Sequence, residues 1–494
     1  MDLLAAVVFV PLAASIVVTL VPARHTGVTT AIGLLTSLVV VGLVAGVAAT
    51  VQRDGIMRFA LADWRAPLGI ELRADQLSVL LLGLTALVGA AVSVYATGSS
   101  SARGGRMFWP LWLALWSGLN AVYIAGDLFN TYVALELMGV AAVSLVALGG
   151  AQALRPALRY LYVAVLGSLL YLLGVALVYG QTGTLDLELA ADGIRPDVVG
   201  GAVLVLMTVG LALKTALFPM HSWLPDAHSS APAAVSALLS ALVVKATLYV
   251  LIRVWFTVLD TEPAFPLDLA VGLLGATAVG WGTAMALREV RLKRIVGYST
   301  VAQVGYLFLV FPLVTPGLEA EPGSALGEAA LAGWTGGLAL LLGHGVAKAA
   351  MFLAAGNIGL AYGSDDISGI TGAAARMPLS VAAFGLAGVS LAGLPPTFGF
   401  IGKWQLLQAS LGTGQWWWVI VLLVGGLLTF GYSARVLRAT FNPTRAFELP
   451  EPEHLPRRME VVALSLAVLA VVLGIGSLPI LTFAGDGVLI GAGP

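Results

Sequence analysis

Apolar residues occur along the chain in runs of about 20 residues, the length that a helix needs to span the hydrocarbon core of a bilayer. Short segments with Gly, Pro and charged residues separate the runs. The predicted helices lie at residues 3–21, 28–51, 75–97, 107–125, 129–150, 156–180, 200–219, 230–257, 267–287, 293–315, 328–361, 378–410, 415–441 and 459–483. The pattern therefore predicts an all-α integral membrane protein with fourteen spans. We expect 328–361 and 378–410, which exceed the length needed, to be tilted or broken.

Composition agrees with this class and excludes others. Of the 494 residues, 59% are hydrophobic and 10% are charged, which rules out a soluble globular protein. The net charge of −1 gives no basic surface for nucleic acid. The chain has no cysteine, so disulfides and iron–sulfur clusters within it are excluded. Most histidines lie in loops or at helix ends, and we expect no haem, metal or other cofactor.

The distribution of Lys and Arg between alternate loops predicts the orientation. Loops on one side of the membrane carry 15 of these residues, and loops on the other side carry 5. Positively charged loops stay in the cytoplasm. An even number of spans puts both termini on one side, so we expect both termini outside.

Lysines and arginines are distributed differently. Of the 20 arginines, 19 lie in loops, whereas four of the five lysines lie inside apolar segments: Lys214, Lys245, Lys348 and Lys403. A lysine can lose its proton where water is excluded, but an arginine stays charged. Lysines at membrane depth therefore suit a path that transfers protons.

Glu136 is the only carboxylate deep inside a predicted span. Five buried charges without partners would cost about 12 to 18 kcal/mol on insertion scales, so we expect Glu136 to pair with a lysine. A proton moving onto or off one member of such a pair changes the proton affinity of the other, which makes the pair a switchable step in a relay. The alternative is structural, with ion pairs that hold helices together or lysines that reach an interface.

Two further patterns place polar residues on one helix face. His344 precedes Lys348 by four residues, and a histidine that titrates near neutrality suits a relay, although it is equally typical of a satisfied core. Lys245, Tyr249 and Arg253 are spaced by four, which predicts a polar stripe. A stripe facing lipid would be costly, so we expect it to face the bundle interior or a hydrated path.

Two segments combine proline and polar residues with a lysine at membrane depth, residues 211–232 and 391–405. Broken helices in corresponding positions indicate a transport site built on inverted repeats, although proline kinks also occur for packing alone. The broken helices are the seventh and twelfth, as two five-helix repeats (helices 4–8 and 9–13) require. The chain then divides into helices 1–3 at 1–106, repeats at 107–257 and 267–441, and helix 14 with the C-terminus at 459–494.

These residues lie within segments that resemble a known family. The segments are LFNTYVALELMGV, LKTALFPMHSWLPDAHSSAPAAVSALLSALVVKATLYVLIRV, LKRIVGYSTVAQVGYLFL, HGVAKAAMF and LPPTFGFIGKW, between about residues 107 and 441. Together they resemble the proton-translocating subunits shared by Mrp-type cation/proton antiporters, respiratory complex I and membrane-bound hydrogenases. The resemblance implies fourteen spans, outside termini and inverted repeats.

The resemblance also implies roles for the charged residues. Glu136 is similar to the fifth-helix glutamate of the family, and Lys214 to the seventh-helix lysine that pairs with it. Lys245 is similar to the eighth-helix lysine that links two half-channels. The eleventh-helix polar positions correspond to His344 and Lys348, and the exit-side lysine of the twelfth helix to Lys403. Proton transfer across the middle of the membrane is expected along these residues.

Two positions bear on the subtype. Complex I subunits of the M type usually carry a glutamate at the position of Lys403 and a histidine at that of Gln303, which favours a resemblance to the D-type subunits of Mrp antiporters. Proteins of this type are transporters, not enzymes. They exchange protons for a monovalent cation such as Na⁺, together with other membrane subunits of a complex in a bacterial or archaeal cell membrane. The alternative is a proton-pumping subunit of a redox-driven complex, of the complex I N type or linked to a hydrogenase.

Overall fold

The computed structural model describes residues 2–22, 24–66, 69–99, 106–195, 197–258, 266–318, 320–321, 323–442 and 453–486. Two of the fifteen basic residues counted on one side, Arg103 and Arg445, lie outside the described residues. So do residues 487–494 of the predicted C-terminal segment.

Helices form nearly all of the described chain. They are α1 (Leu3–Leu20), α2 (Thr26–Asp54), α3 (Gln76–Ala96), α4 (Phe108–Ile124), α5 (Leu128–Ala147), α6 (Ala151–Thr182), α7a (Val198–Thr215), α7b (Leu224–Ser230), α8 (Ala233–Thr257), α9 (Leu267–Arg288), α10 (Leu292–Leu307), α11 (Ala325–Tyr362), α12a (Pro378–Ala392), α12b (Phe398–Gly412), α13 (Trp417–Phe441), α14 (Arg457–Ile475) and α15 (Ser477–Asp486). One π-helical turn, Leu239–Val243, lies within α8, and a second, Val254–Val258, lies at its end.

Twelve helical segments of the described chain are long and apolar enough to cross a membrane. The predicted fourth and twelfth spans also coincide with helices, but α4 has 17 residues and α12a and α12b have 15 each. The prediction of an all-α membrane protein is therefore confirmed. The number of fourteen spans and the inverted repeats stay predictions.

The two segments that were expected to be tilted or broken differ from each other, and the tilt of the first stays a prediction. The segment predicted at 328–361 is not broken, because α11 runs without interruption for 38 residues, a length of about 57 Å. It contains no proline, and nearly all of its side chains from Ala329 to Ile358 are buried. The segment predicted at 378–410 is interrupted as expected, since α12a ends at Gly393 with φ +81° and α12b begins after Thr397.

The chain forms two compact units. The first contains Met1–Ser93, Ser100–Thr215 and Leu242–Leu267, and in it α4, α5, α6 and α7a pack in chain order. The second contains Val94–Ser99, Ala216–Ala241 and Asp268–Pro494, and in it α11 packs against α10, α12a, α12b and α14. Each unit thus carries one end of the interrupted seventh helix.

The first unit also contains a short β-hairpin, which the sequence pattern did not predict. Strands β1 (Met57–Ala60) and β2 (Glu71–Ala74) pair antiparallel, with Met57 opposite Ala74. Half-buried and buried positions alternate in β2, whereas β1 is half-buried except at the exposed Arg58, and each strand has only four residues. A search for runs long enough to span a membrane passes over such short strands.

Candidate functional site

Glu136 on α5 contacts Lys214 on α7a within the first unit. Lys214 Nζ lies 3.2 Å from Glu136 Oε1, and Ser168 on α6 donates a hydrogen bond from Oγ to the same oxygen. The Lys214 side chain is 4% exposed and that of Glu136 is 32% exposed. The structure thus brings the deep carboxylate to a lysine, and their proton-transfer role stays a prediction. Sequence reasoning missed Ser168, because a serine in an apolar helix has no distinguishing spacing.

A close crossing of α6 and α7a positions this pair. A Cβ added at Gly167 would lie 2.5 Å from the carbonyl O of Gly210, and a Cβ at Gly210 would lie 2.5 Å from the carbonyl O of Gly167. Glycine at both positions lets the two backbones touch, as small residues do between membrane helices. Since Gly167 precedes Ser168 directly, the crossing sets the distance from α6 to Lys214.

Replacement of Gly167 by alanine is expected to destabilise the protein by about 1 to 3 kcal/mol, because the new Cβ meets backbone that cannot move aside locally. Transport is expected to fall with it, because Ser168 moves away from Lys214 and Glu136. Thermal unfolding of the purified protein in detergent measures the first effect. The control is Gly180→Ala on the same helix, where an added Cβ meets nothing within 4 Å. Equal thermal stability of the two variants would contradict the role of the crossing.

Lys214 lies in the last turn of α7a, where the free carbonyl groups of the helix end favour a cation. The next residue, Thr215, donates from Oγ1 to the carbonyl O of Leu211 at 2.7 Å, and its Oγ1 is 3.0 Å from that of Thr247 on α8. Thr247 follows Lys245 by two residues. This hydroxyl contact ties the end of α7a to the part of α8 that carries the second lysine.

Lys245 is fully buried on α8, directly after the π-helical turn Leu239–Val243. Such turns frequently occur at functional sites. Tyr249 and Arg253, one and two turns further along, are buried as well. The polar stripe therefore faces the protein interior, as its spacing predicts.

Arg253 has an acidic partner that sequence reasoning missed. Its Nη2 lies 2.5 Å from Oδ1 of Asp75, at the start of α3, and both side chains are nearly buried. Burial by itself would raise the pKa of Asp75, but the charge and hydrogen bond of Arg253 outweigh it and hold the pKa well below its usual range. The signal that could have identified Asp75 is Arg253 itself, because a buried guanidinium stays charged and requires an acid nearby.

Lys348 and His344 lie one turn apart on α11 in the second unit, and both are buried. Lys348 Nζ donates to the carbonyl O of Val296 at 3.1 Å and to Oγ of Ser299, both on α10. A carbonyl and a hydroxyl thus hold the amine in the middle of the unit. No acidic side chain takes part in these contacts.

Lys403 on α12b lies against the end of α12a. Its Nζ donates to the carbonyl O of Leu391 at 3.0 Å and of Ala392 at 3.1 Å, and it lies 4.4 Å from the centre of the Tyr306 ring. Helix C-terminal carbonyls and an aromatic face both favour a cation. Gln303 Nε2 donates to the same Leu391 oxygen at 3.1 Å. Gln303, considered above only as a marker of subtype, is therefore part of the site.

A cavity of about 480 Å³ opens beside Lys403. Its lining is mostly apolar and includes Trp404 and Leu427, which are exposed on the surface of the unit. The amine of Lys403 therefore borders a space that reaches the outside of the second unit.

The predicted site residues fall into two groups. Glu136, Lys214 and Lys245 lie in the first unit, where direct contacts join Glu136 to Lys214. His344, Lys348 and Lys403 lie in the second unit. Each group combines titratable side chains with buried hydroxyl groups, which donate and accept hydrogen bonds, or with carbonyl oxygens, which accept them.

Comparisons with known proteins identify the family of the chain. The sequence pattern of the family described as "NADH:quinone oxidoreductase/Mrp antiporter, TM" matches residues 125–429. The N subunit of the NADH-quinone oxidoreductase of Desulforudis audaxviator is 37% identical over 87% of this chain and 85% of its own. The D subunit of the Na⁺/H⁺ antiporter of Alkalihalophilus pseudofirmus is 30% identical over 88% of this chain and 86% of its own.

A solved structure gives the same result for the fold. A chain of the Mrp complex from Dietzia sp. superposes with a TM-score of 0.88 at 25% identity, over 99% of this chain and 97% of that chain. The matched family segment contains every site residue named above from Glu136 to Lys403. The chain belongs to the NADH:quinone oxidoreductase/Mrp antiporter transmembrane family.

Proposed function

We propose that the chain is the proton-translocating subunit of a multisubunit antiporter that exchanges protons for a monovalent cation such as Na⁺. The contact between Glu136 and Lys214 inside two membrane spans carries this proposal. An acid and an amine that share a hydrogen bond in low dielectric change each other's proton affinity, which is the property that a relay needs. The likeness to the D subunit of a Na⁺/H⁺ antiporter supports the same function.

The proposed mechanism is electrostatic. A proton that arrives at Glu136 neutralises the carboxylate and frees the Lys214 ammonium from its partner. Like charges repel more strongly in low dielectric than in water, so a freed Lys214 ammonium favours release of the proton from Lys245. The contact between Thr215 and Thr247 keeps the two lysine-bearing segments together during this step. We assign the onward steps to His344, Lys348 and Lys403.

The exposed face of α5 supports the proposal that other membrane subunits bind here. Glu136 shares this face with Phe129, Val133 and Val140, which are 50%, 48% and 56% exposed. A carboxylate at this depth is costly against lipid, whereas a neighbouring subunit would cover it. The Mrp complex, to which one structural match belongs, is consistent with such partners.

The charge distribution supports an orientation with both termini outside a bacterial or archaeal cell membrane. In this orientation the β1–β2 hairpin and the start of α3 lie on the outer face. In the proposed direction protons move inward and the cation moves outward. We propose that the chain is a transporter subunit and that it catalyses no covalent reaction.

A redox-driven proton pump is the second candidate, which the 37% identity to the N subunit of an NADH-quinone oxidoreductase favours. Purification of the native complex in mild detergent separates the two. We expect other small, hydrophobic membrane subunits to co-purify with the chain, with no bound iron by metal analysis. Stoichiometric iron–sulfur subunits in the purified complex would contradict the antiporter and establish the redox pump.

A further inference from the structure

We propose that a polar cluster at one end of α8 is the path by which protons reach Lys245 from the membrane face that carries the β1–β2 hairpin. The cluster consists of Asp75, Ser78, Tyr249 and Arg253, and we call it the hairpin-end cluster. The inference rests on the proposed function, since it gives Lys245 of the relay its own connection to water.

The hydrogen bonds of the hairpin-end cluster are continuous. Ser78 Oγ donates to Asp75 Oδ1 at 3.2 Å and lies 3.1 Å from the hydroxyl oxygen of Tyr249. The Tyr249 hydroxyl also donates to the carbonyl O of Tyr123 at 2.8 Å. A carboxylate and two hydroxyls thus follow one another, and each hydroxyl can both accept and donate a proton.

The outer end of the cluster reaches charged groups near water. The Asp75 side chain is 11% exposed, and Arg73 Nη2 on β2 lies 3.9 Å from its second carboxylate oxygen. Arg73 in turn pairs with Glu188 at 2.5 Å, and Glu188 with Arg58 on β1 at 2.8 Å. Arg58 and Glu188 are more than 40% exposed. These ion pairs connect the Asp75 carboxylate to exposed side chains, and we assign the entry of protons from water to this carboxylate.

The inner end of the cluster points along α8 towards the relay. Lys245 precedes Tyr249 by one turn on the same face, so their Cβ atoms are about 5 to 6 Å apart, within reach of a lysine side chain. A cavity of about 10 Å³ borders Tyr249, Arg253 and Thr131. That volume is close to the minimum that holds one water molecule, and a water there would lie beside Tyr249 and Arg253 of the cluster.

We assign the following proton transfers to the hairpin-end cluster. A hydronium ion at the surface gives a proton to the Asp75 carboxylate and becomes water. The Ser78 hydroxyl hydrogen turns from Asp75 towards Tyr249, and protonated Asp75 passes its proton to Ser78 Oγ as Ser78 gives its own to the Tyr249 oxygen. The Tyr249 hydroxyl hydrogen turns from the Tyr123 carbonyl and moves to neutral Lys245. The hydroxyls are restored, and Lys245 ends as an ammonium.

Arg253 acts in this scheme as a positioning residue. Its Nη2 holds Asp75, and its Nε donates to the Tyr249 hydroxyl at 3.1 Å, which fixes both ends of the hydroxyl chain. Arg253 also keeps Asp75 ionised, so that the carboxylate accepts a proton only briefly and passes it on.

The test removes the two hydroxyls in the complete native complex and measures Na⁺-dependent proton transport in membrane vesicles, normalised to the amount of chain. We expect Tyr249→Phe and Ser78→Ala each to reduce the transport rate at least about tenfold, since a positioned proton-transfer group contributes on this scale or more. Ser78→Thr keeps a hydroxyl and is expected to retain transport. The matched control is Tyr95→Phe, which removes another buried hydroxyl, one that donates to Asn357 Oδ1 at 2.9 Å.

Three results would overturn the inference. They are wild-type rates in both Tyr249→Phe and Ser78→Ala, an equal loss in Ser78→Thr, or an equal loss in Tyr95→Phe. Lys214→Ala measured in parallel separates this inference from the proposed function. If Lys214→Ala retains transport, the relay itself is wrong. If only Lys214→Ala loses transport, the relay stands and the hairpin-end cluster is not part of it.

Discussion

Replacement of Glu136 by glutamine is expected to lower cation-dependent proton transport at least about 100-fold, because the proposed switch then lacks its titratable acid. Glutamine keeps the size of the side chain and a hydrogen-bond acceptor for Lys214 and Ser168. The protein is therefore expected to insert and to assemble normally. Transport in vesicles, divided by the amount of chain in the membrane, measures the effect.

The matched control for this variant is Glu289→Gln, because Glu289 is also a glutamate in ion pairs, with Arg291 and Arg294, and lies outside the proposed path. Surface ion pairs of this kind contribute little, so near wild-type transport is expected. Wild-type transport in Glu136→Gln would show that the Glu136–Lys214 pair is structural.

Replacement of Lys348 by methionine is expected to abolish transport, at least about 100-fold, with little change in thermal stability. Apolar residues of similar volume often replace a buried charge without loss of stability. The Val296 carbonyl that Lys348 contacts also accepts from Thr300 Oγ1 at 3.0 Å, so it keeps a side-chain partner. Transport in vesicles and thermal unfolding in detergent measure the two effects.

Leu341→Met provides the control for this prediction, since it places the same side chain at another buried position of α11. A volume-conserving change of this kind is expected to retain both stability and transport. Transport that persists in Lys348→Met would exclude this lysine from the path. A large drop in thermal stability would instead identify Lys348 as a structural tie between α10 and α11.

The charge pattern was sufficient to predict that Glu136 contacts a lysine, and the family resemblance identified that lysine as Lys214. Only one carboxylate lies deep in a span, and the cost of burying it alone makes a lysine partner necessary. The same argument applies to Arg253, whose buried charge requires an acid. That acid is Asp75, which was missed because it lies at the start of α3 and not deep inside a span. Ser168, Tyr306 and the carbonyl acceptors of Lys403 could not be predicted, because hydroxyls, rings and backbone carbonyls occur throughout the chain and only packing brings them to the amines.

The helix interruptions were also only partly predictable from the sequence. Residues 393–397 combine glycine with two consecutive prolines, which end one helix and begin another, so the interruption of the twelfth helix could be predicted. The length of the segment at 328–361 left either a tilt or a break open, and α11, whose side chains are nearly all buried, extends without a break. The β1–β2 hairpin escaped notice because its strands are shorter than any membrane-spanning pattern.

We propose that protons cross this chain through the Lys214 relay in exchange for a cation. The most direct test is proton movement in everted vesicles from an antiporter-deficient host that expresses the whole native gene cluster, with and without Lys214→Ala. We expect Na⁺ to collapse a preformed proton gradient in wild-type vesicles and to have no effect in the variant. Proton movement that requires an electron donor and ignores Na⁺ would contradict the account and assign the chain to a redox pump.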